Sequence, residues 1–272
     1  MIGIRVGLIA LLLVCVGPAL ALDQGVASGH YDQDGVTLSF AHAVALSQDN
    51  TEGLLDHGPQ VRVVLSAEEV PIQALYGVVF PPVTQMARAG VVHGVMLEFD
   101  PADRTRLHVT VLNKPDAPDA FARNISVSNS EGLWKSLEAS ATRLSGAYPA
   151  GDDTDLVFTF SAPLLTDPVV ADLKGADAQK SEQVRVLLAR AEAMGRGDMA
   201  AAAALSSRQS QADLTGLSPE ALKQVKATMG ALTKEIKAIK RVVVRQQTAA
   251  ALMGEGGFSS LVFEDGAWKA AD

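Results

Sequence analysis

Cysteine appears once in the 272 residues, as Cys15. That position falls in an opening stretch read below as a cleaved signal, so the mature chain is expected to hold no thiol. Disulfides, thiol catalysis and cysteine-ligated metals are then closed to it, and stability must come from core packing. Basic residues are also in deficit. Lys and Arg total 23 against 31 Asp and Glu, a net charge of −8 that becomes about −9 once Arg5 leaves with the signal. An acidic surface without basic clusters argues against nucleic acid, whose phosphates it would repel, and against a polybasic membrane patch. No Gly-x-Ser-x-Gly elbow, no phosphate loop ending in Gly-Lys and no His-Glu-x-x-His occurs. The longest apolar run, Val6 to Val16, is too short to span a bilayer as a helix.

What is present begins with an address. Met1 to Arg5 is short and basic, Val6 to Val16 is apolar apart from Gly7, Gly17-Pro18 breaks the run, and Ala19-Leu20-Ala21 follows. This is the three-part layout of a secretory signal peptide, with cleavage expected after Ala21. A lipid anchor on Cys15 is disfavoured, because Val14 is β-branched where a small residue is needed and the break follows the cysteine. The mature protein is thus expected to be periplasmic or secreted, without a membrane anchor. Apolar residues at 48% and charged residues at 20% are ordinary globular values, so full-sized cores are expected.

The chain changes character near Asp167. Before it, short alternating segments bounded by turn residues predict strands at Val36–Val44, Val61–Leu65, Val91–Phe99, Leu107–Leu112 and Leu156–Phe160. The first reads as one strand with Val36, Leu38, Phe40, His42 and Val44 on a single face. Asp34-Gly35, Asp100 to Asp103 and Gly151 to Asp153 supply the turns. Many short strands predict a β-sandwich or barrel, taken here as an antiparallel β-sandwich-like domain over 22–166. Two short helical pieces, Pro71–Tyr76 and Val83–Ala89, interrupt it. The apolar stretch Ile72–Ala89 reads as a cover over one end of the core, with a partner-binding lobe as the alternative. Residues 167–177 are expected to link this domain to a second at 178–272.

In that second region the period becomes helical. Val184, Leu187, Leu188, Ala191 and Met194 form one stripe. Gly195 and Gly197 can end that helix, and Asp198 can cap the next. Ser218-Pro219 starts a third helix, with Leu222, Val225, Met229, Leu232 and Ile236 as its stripe. Strands are expected at Arg241–Arg245, Thr248–Met253 and Phe258–Phe263, before a turn at Asp265-Gly266 and the closing Trp268.

Three helices followed by an antiparallel meander, the step Arg196-Gly197-Asp198-Met199 and the ending Asp265-Gly266-Ala267-Trp268-Lys269 resemble the nuclear transport factor two-like, or SnoaL-like, superfamily. The resemblance covers roughly 176–272 and implies a cone-shaped α+β domain of three helices on a curved sheet. It implies little about activity, because that superfamily holds enzymes, binding modules and assembly domains alike. Its enzymes commonly use an Asp–His or Tyr–Asp pair inside the cone. Here His30, His42, His57, His93 and His108 all precede the helices, and no tyrosine follows Tyr148. Only carboxylates remain there as general acids or bases, and Glu182, Glu192, Asp198, Glu220 and Glu235 read as caps and solvated helix faces.

Metal chemistry finds no recognised ligand spacing. Asp32 to Gly35 and Asp152 to Asp155 read as hairpin turns and not as calcium loops. His93 and His108, on strands that could be neighbours, alternate toward opposite faces. No metal and no cofactor is expected. The reading is therefore an exported bacterial envelope protein, α+β overall, that binds a small apolar ligand or another envelope protein. Trp268, Met229 and Phe258 are the candidate ligand contacts, and no catalytic residue is named. A carboxylate-based isomerase or hydrolase in the cone, or a structural pairing module, are the alternatives.

Overall fold

A computed structural model describes residues 25–271, apart from 34, 50–59, 78–80, 115–122, 150–153, 216 and 255–256. The expected signal and its cleavage site, His57, and parts of the Asp34 and Gly151–Asp153 turns lie outside the described residues. The fold is mixed α+β, with sheets that are mostly antiparallel.

Ten strands form the first sheet: β1 (Gly25–Gln33), β2 (Val36–Ser39), β3 (His42–Gln48), β4 (Gln60–Ser66), β5 (Gly94–Phe99), β6 (Arg106–Leu112), β7 (Asn124–Ser128), β8 (Ser136–Ala139), β9 (Arg143–Tyr148) and β10 (Leu156–Asp167). Their order is β7-β6-β5-β4-β3-β1-β10-β9-β8, with β2 beside β1 and a short parallel pairing of β3 with β10. This is one continuous sheet curled into a half-barrel, nearer to the barrel than to the sandwich of the two architectures that the strand pattern allowed, and not the two stacked layers of a sandwich. Strands from β1 to β10 all send side chains into a single apolar interior, which is how a curled sheet buries one face without a second sheet.

The chain crosses from the β7 edge to the β8 edge through residues 129–135. Asn129 N–H bonds to the Thr105 carbonyl, Leu133 N–H to Arg104, and the Arg104 guanidinium donates to the Leu137 carbonyl at 2.9 Å. Trp134 enters the interior there. Its ring lies 4.7 Å from Phe99 and 5.8 Å from Phe158, with Tyr148 and Phe160 just beyond.

The expected strand Val36–Val44 is two strands. Phe40 and Ala41 leave the ladder to bond Gly29 and Ser66, and the step reverses the alternation. Leu38 and Phe40 join the interior with Ala43 and Ala45, whereas Val44 and Leu46 face outward. The outward face of β3–β6 is not left wet. A 3₁₀ turn (Ile72–Leu75) and α1 (Pro82–Arg88) lie on it, and Leu75, Val83 and Val92 seal a second apolar cluster against Leu46, Val64, Met96 and Leu112. The segment is thus a cover, over the flank of the sheet and not over an end of the main core.

The second sheet has the order β11-β12-β13-β14-β15, with β11 (Val169–Lys174), β12 (Arg241–Arg245), β13 (Thr248–Leu252), β14 (Phe258–Glu264) and β15 (Ala267–Ala270). Helices α2 (Ala176–Lys180), α3 (Glu182–Arg196), α4 (Met199–Ala204), α5 (Arg208–Thr215) and α6 (Pro219–Lys237) come between β11 and β12. The expected punctuation holds. The Ser181, Asp198 and Ser218 side chains accept from the first-turn N–H groups of α3, α4 and α6, and Gly197 ends α3 in the left-handed conformation at φ 79°. Residues 167–177, expected to link, instead carry the end of β10, all of β11 and the start of α2. No helix among the described residues is long and apolar enough to cross a membrane.

Candidate functional site

The three candidate ligand contacts do not converge. Met229 on α6 and Trp268 on β15 share one apolar cluster with Leu187, Val244 and Leu261, and both are more than nine-tenths buried by the chain itself. Trp268 packs edge-on to Phe263, with ring centroids 5.4 Å apart. Phe258 pairs with Leu252, and Leu252 with Arg241. Side chains alternate along a strand, so this row points away from the helices, whereas Val242, Val244, Ala249, Ala251 and Leu261 point toward them.

The five helical carboxylates named above are at the surface. Glu182, Glu192, Asp198, Glu220 and Glu235 are exposed, and Asp198 is occupied in capping α4. None of the five enters the apolar interior.

The sole buried carboxylate among the described residues is Asp167, 1% exposed. It ends β10 and reaches the β12–β13 hairpin of the other sheet. The Gln247 backbone N–H donates to its Oδ1 at 2.7 Å and the Thr248 hydroxyl to its Oδ2 at 2.6 Å. Gln246 N–H bonds to the Pro168 carbonyl beside it, and Arg245 donates to the Asp49 carbonyl beyond β3. Burial pushes the Asp167 carboxyl above its ordinary value. The Thr248 hydroxyl, the Gln247 N–H, the Arg245 charge and the Gln48 amide oppose that shift without cancelling it. Burial and then the Asp167 charge push the Tyr76 phenol up as well, so the cover segment also meets this cluster.

Asp167, Arg245, Thr248, Gln48 and Tyr76 thus meet at the junction of the two sheets. Their arrangement fixes rather than reacts. Each Asp167 oxygen is already held by a donor from the hairpin, so both oxygens are occupied within the chain. Sequence reasoning passed over this residue because Asp167-Pro168 has the composition of a turn. Its partners lie 80 and 81 positions onward, and nothing local announces them.

The histidines are dispersed. His93 Nδ1 and its backbone N–H both engage the Glu68 carboxylate, at 2.8 Å each. That contact holds Glu68 below its ordinary value in spite of the opposing effect of burial. His108 meets the Ser126 hydroxyl on the outer row of β6, and His30 meets the Thr154 carbonyl. His93 stands just before β5, outside the β5–β6 ladder, where Glu98 is the residue opposite His108. Among the described residues no three His, Asp, Glu or Cys side chains gather as a metal group would. No protein-family model matches the chain, nor does any curated protein or solved structure.

Proposed function

We infer that this is an exported envelope protein that binds and does not catalyse, and that its partner is another envelope protein. The observation carrying the reading is the placement of its acids and its apolar side chains. Every carboxylate expected as a base is exposed, and the one buried carboxylate is engaged by the backbone and hydroxyl of the opposite sheet. Trp268 and Met229, which would greet a small apolar ligand, are covered by the chain's own atoms. Surfaces, and not a hollow interior, are then left to recognise a partner. Residues 176–271 are read as a cone-shaped domain similar to the nuclear transport factor two-like superfamily, supported by helices lying against an antiparallel sheet. Because β11 pairs with β12, the boundary between two domains in this reading moves from a linker to Pro168.

Mass spectrometry of protein recovered from the envelope tests both halves. The intact chain should begin at Leu22, and organic extraction should release no stoichiometric lipophile. A retained Met1 would refute export, and one apolar molecule per chain would replace the protein partner with a small ligand.

A further inference from the structure

The acidic composition conceals a basic strip. Lys223, Lys226, Lys234 and Lys237 are all exposed on α6. At 3.6 residues per turn they fall within a strip about 80° wide and about 21 Å long. It lies off to one side of the stripe formed by Met229 and Ile236, which is buried in the core with α3. Gly230 lies in the same strip and raises no bulk above it. Among the described residues none of the four lysines has an ion-pair partner. Glu220, one turn before Lys223, does not reach it, and no other acidic residue stands three or four positions from any of the four, where pairing glutamates would stand on an ordinary solvated face. Lys234 and Lys237 answer the carbonyl end of the helix. Lys226 lies over Gly197 at the carbonyl end of α3, where a Cβ would stand 2.4 Å from its Cε. Lys223, nearer the amino end of α6, has no such reason to be a cation.

We propose that the lysine strip of α6 docks the protein on an anionic lipid surface. The strip runs along one straight helix and its four lysines are all exposed, as a membrane plane requires. Its charges are flexible ammonium groups, which suit a fluid layer of phosphates. An acidic protein is more often gripped by arginine forks that match fixed carboxylates, and the strip has no arginine. The chain as a whole is at net −8 with these four lysines included, so the rest of it is repelled by the same surface and the molecule would settle with α6 toward the lipid. Each lysine near an anionic leaflet multiplies affinity by about five. The inference does not depend on a protein partner.

Co-sedimentation of the full chain with vesicles tests it, using phosphatidylcholine alone and with about one-third phosphatidylglycerol. Binding is expected only to the anionic vesicles, fading as salt rises. Replacing all four lysines by glutamine should weaken it about a hundredfold or more, whereas replacing them by arginine should retain it. Should the fourfold glutamine chain fail to fold, Lys223→Gln with Lys234→Gln carries the same comparison. Equal binding by the glutamine variant, or no binding by the unmodified chain at low salt, would overturn the proposal. Capture by polyglutamate without vesicle binding would overturn it in favour of an acidic protein.

Discussion

Asp167 and Trp268 are the two side chains whose surroundings set the sharpest expectations. The folded environment raises the Asp167 pKa above the ordinary 3.8, so the folded state holds this proton more tightly than the unfolded one. The contribution of the group to stability is therefore greatest in acid and is lost as pH rises through the raised folded value. Relative to Asp167→Asn, the unmodified chain should gain stability as pH falls from neutrality toward 4, measured by urea unfolding of both proteins across that window. A constant difference would mean that the carboxyl does not titrate there. Asp167→Ala is harsher. It strands the Gln247 N–H, the Thr248 hydroxyl and the buried Arg245 charge, and should cost about 3–5 kcal/mol. Trp268, 9% exposed beneath α3 and against Phe263, should cost about the same on truncation to alanine, the range for a large aromatic in a core. Thermal unfolding of the full chain measures it. An unchanged melting temperature would return Trp268 to the role of a ligand contact.

Elements whose pattern is local were legible. Helix α3 declared itself through a five-residue apolar stripe, the Gly197 stop and the Asp198 cap, and α6 through Ser218-Pro219. The strands β4 to β6 and β12 to β14 followed from alternation between turn residues. Elements whose pattern depends on remote pairing were not. In β11, Val169 to Lys174, alternation is present, but Asp167-Pro168 before it and Gly175 after it have linker composition, and only β12 gives it a ladder. The split between β2 and β3 was hidden because Phe40 and Ala41 are themselves apolar and carry the alternation straight across the break. The cover segment was visible as an apolar excess, but its anchor was not. Arg62, 3% exposed, extends from β4 to donate to the Leu75 and Gly77 carbonyls at 2.8 Å each and to Glu98 at 2.7 Å. A buried cation so committed holds the cover to the sheet. Arg62→Met should leave those carbonyls and Glu98 without their donor and loosen the cover by about 3–5 kcal/mol. Hydrogen exchange would then quicken in 72–75 and 82–88 and stay unchanged in β13 and β14. Uniform quickening would show that the cover and both sheets open together.

The whole molecule turns on how firmly its two sheets are coupled. Sequence alone favours weak coupling, since the period changes at Asp167 and a Pro and a Gly follow. The contacts oppose that reading. The chain passes from β10 to β11 with Pro168 alone between them, and the carboxyl of Asp167 closes onto the hairpin that follows β12. Arg245 makes a second tie to the Asp49 carbonyl, and Gln246 a third to Pro168. Opening the seam would expose a carboxylate, a guanidinium and a threonine that are each less than 3% exposed, and would strand the groups that now satisfy them. Local opening of the junction is therefore as unfavourable as opening either sheet, and protease should find no early cut between Pro168 and Gly175. Calorimetry of the unmodified chain should give a single cooperative transition. Asp167→Ala removes the central tie while leaving both apolar clusters intact, so it should split that transition into two. A variant that melts lower but still as one unit would show that packing at the seam, and not the Asp167 carboxylate, joins the sheets. Two transitions already present in the unmodified protein would restore the independent domains that the change of period implies.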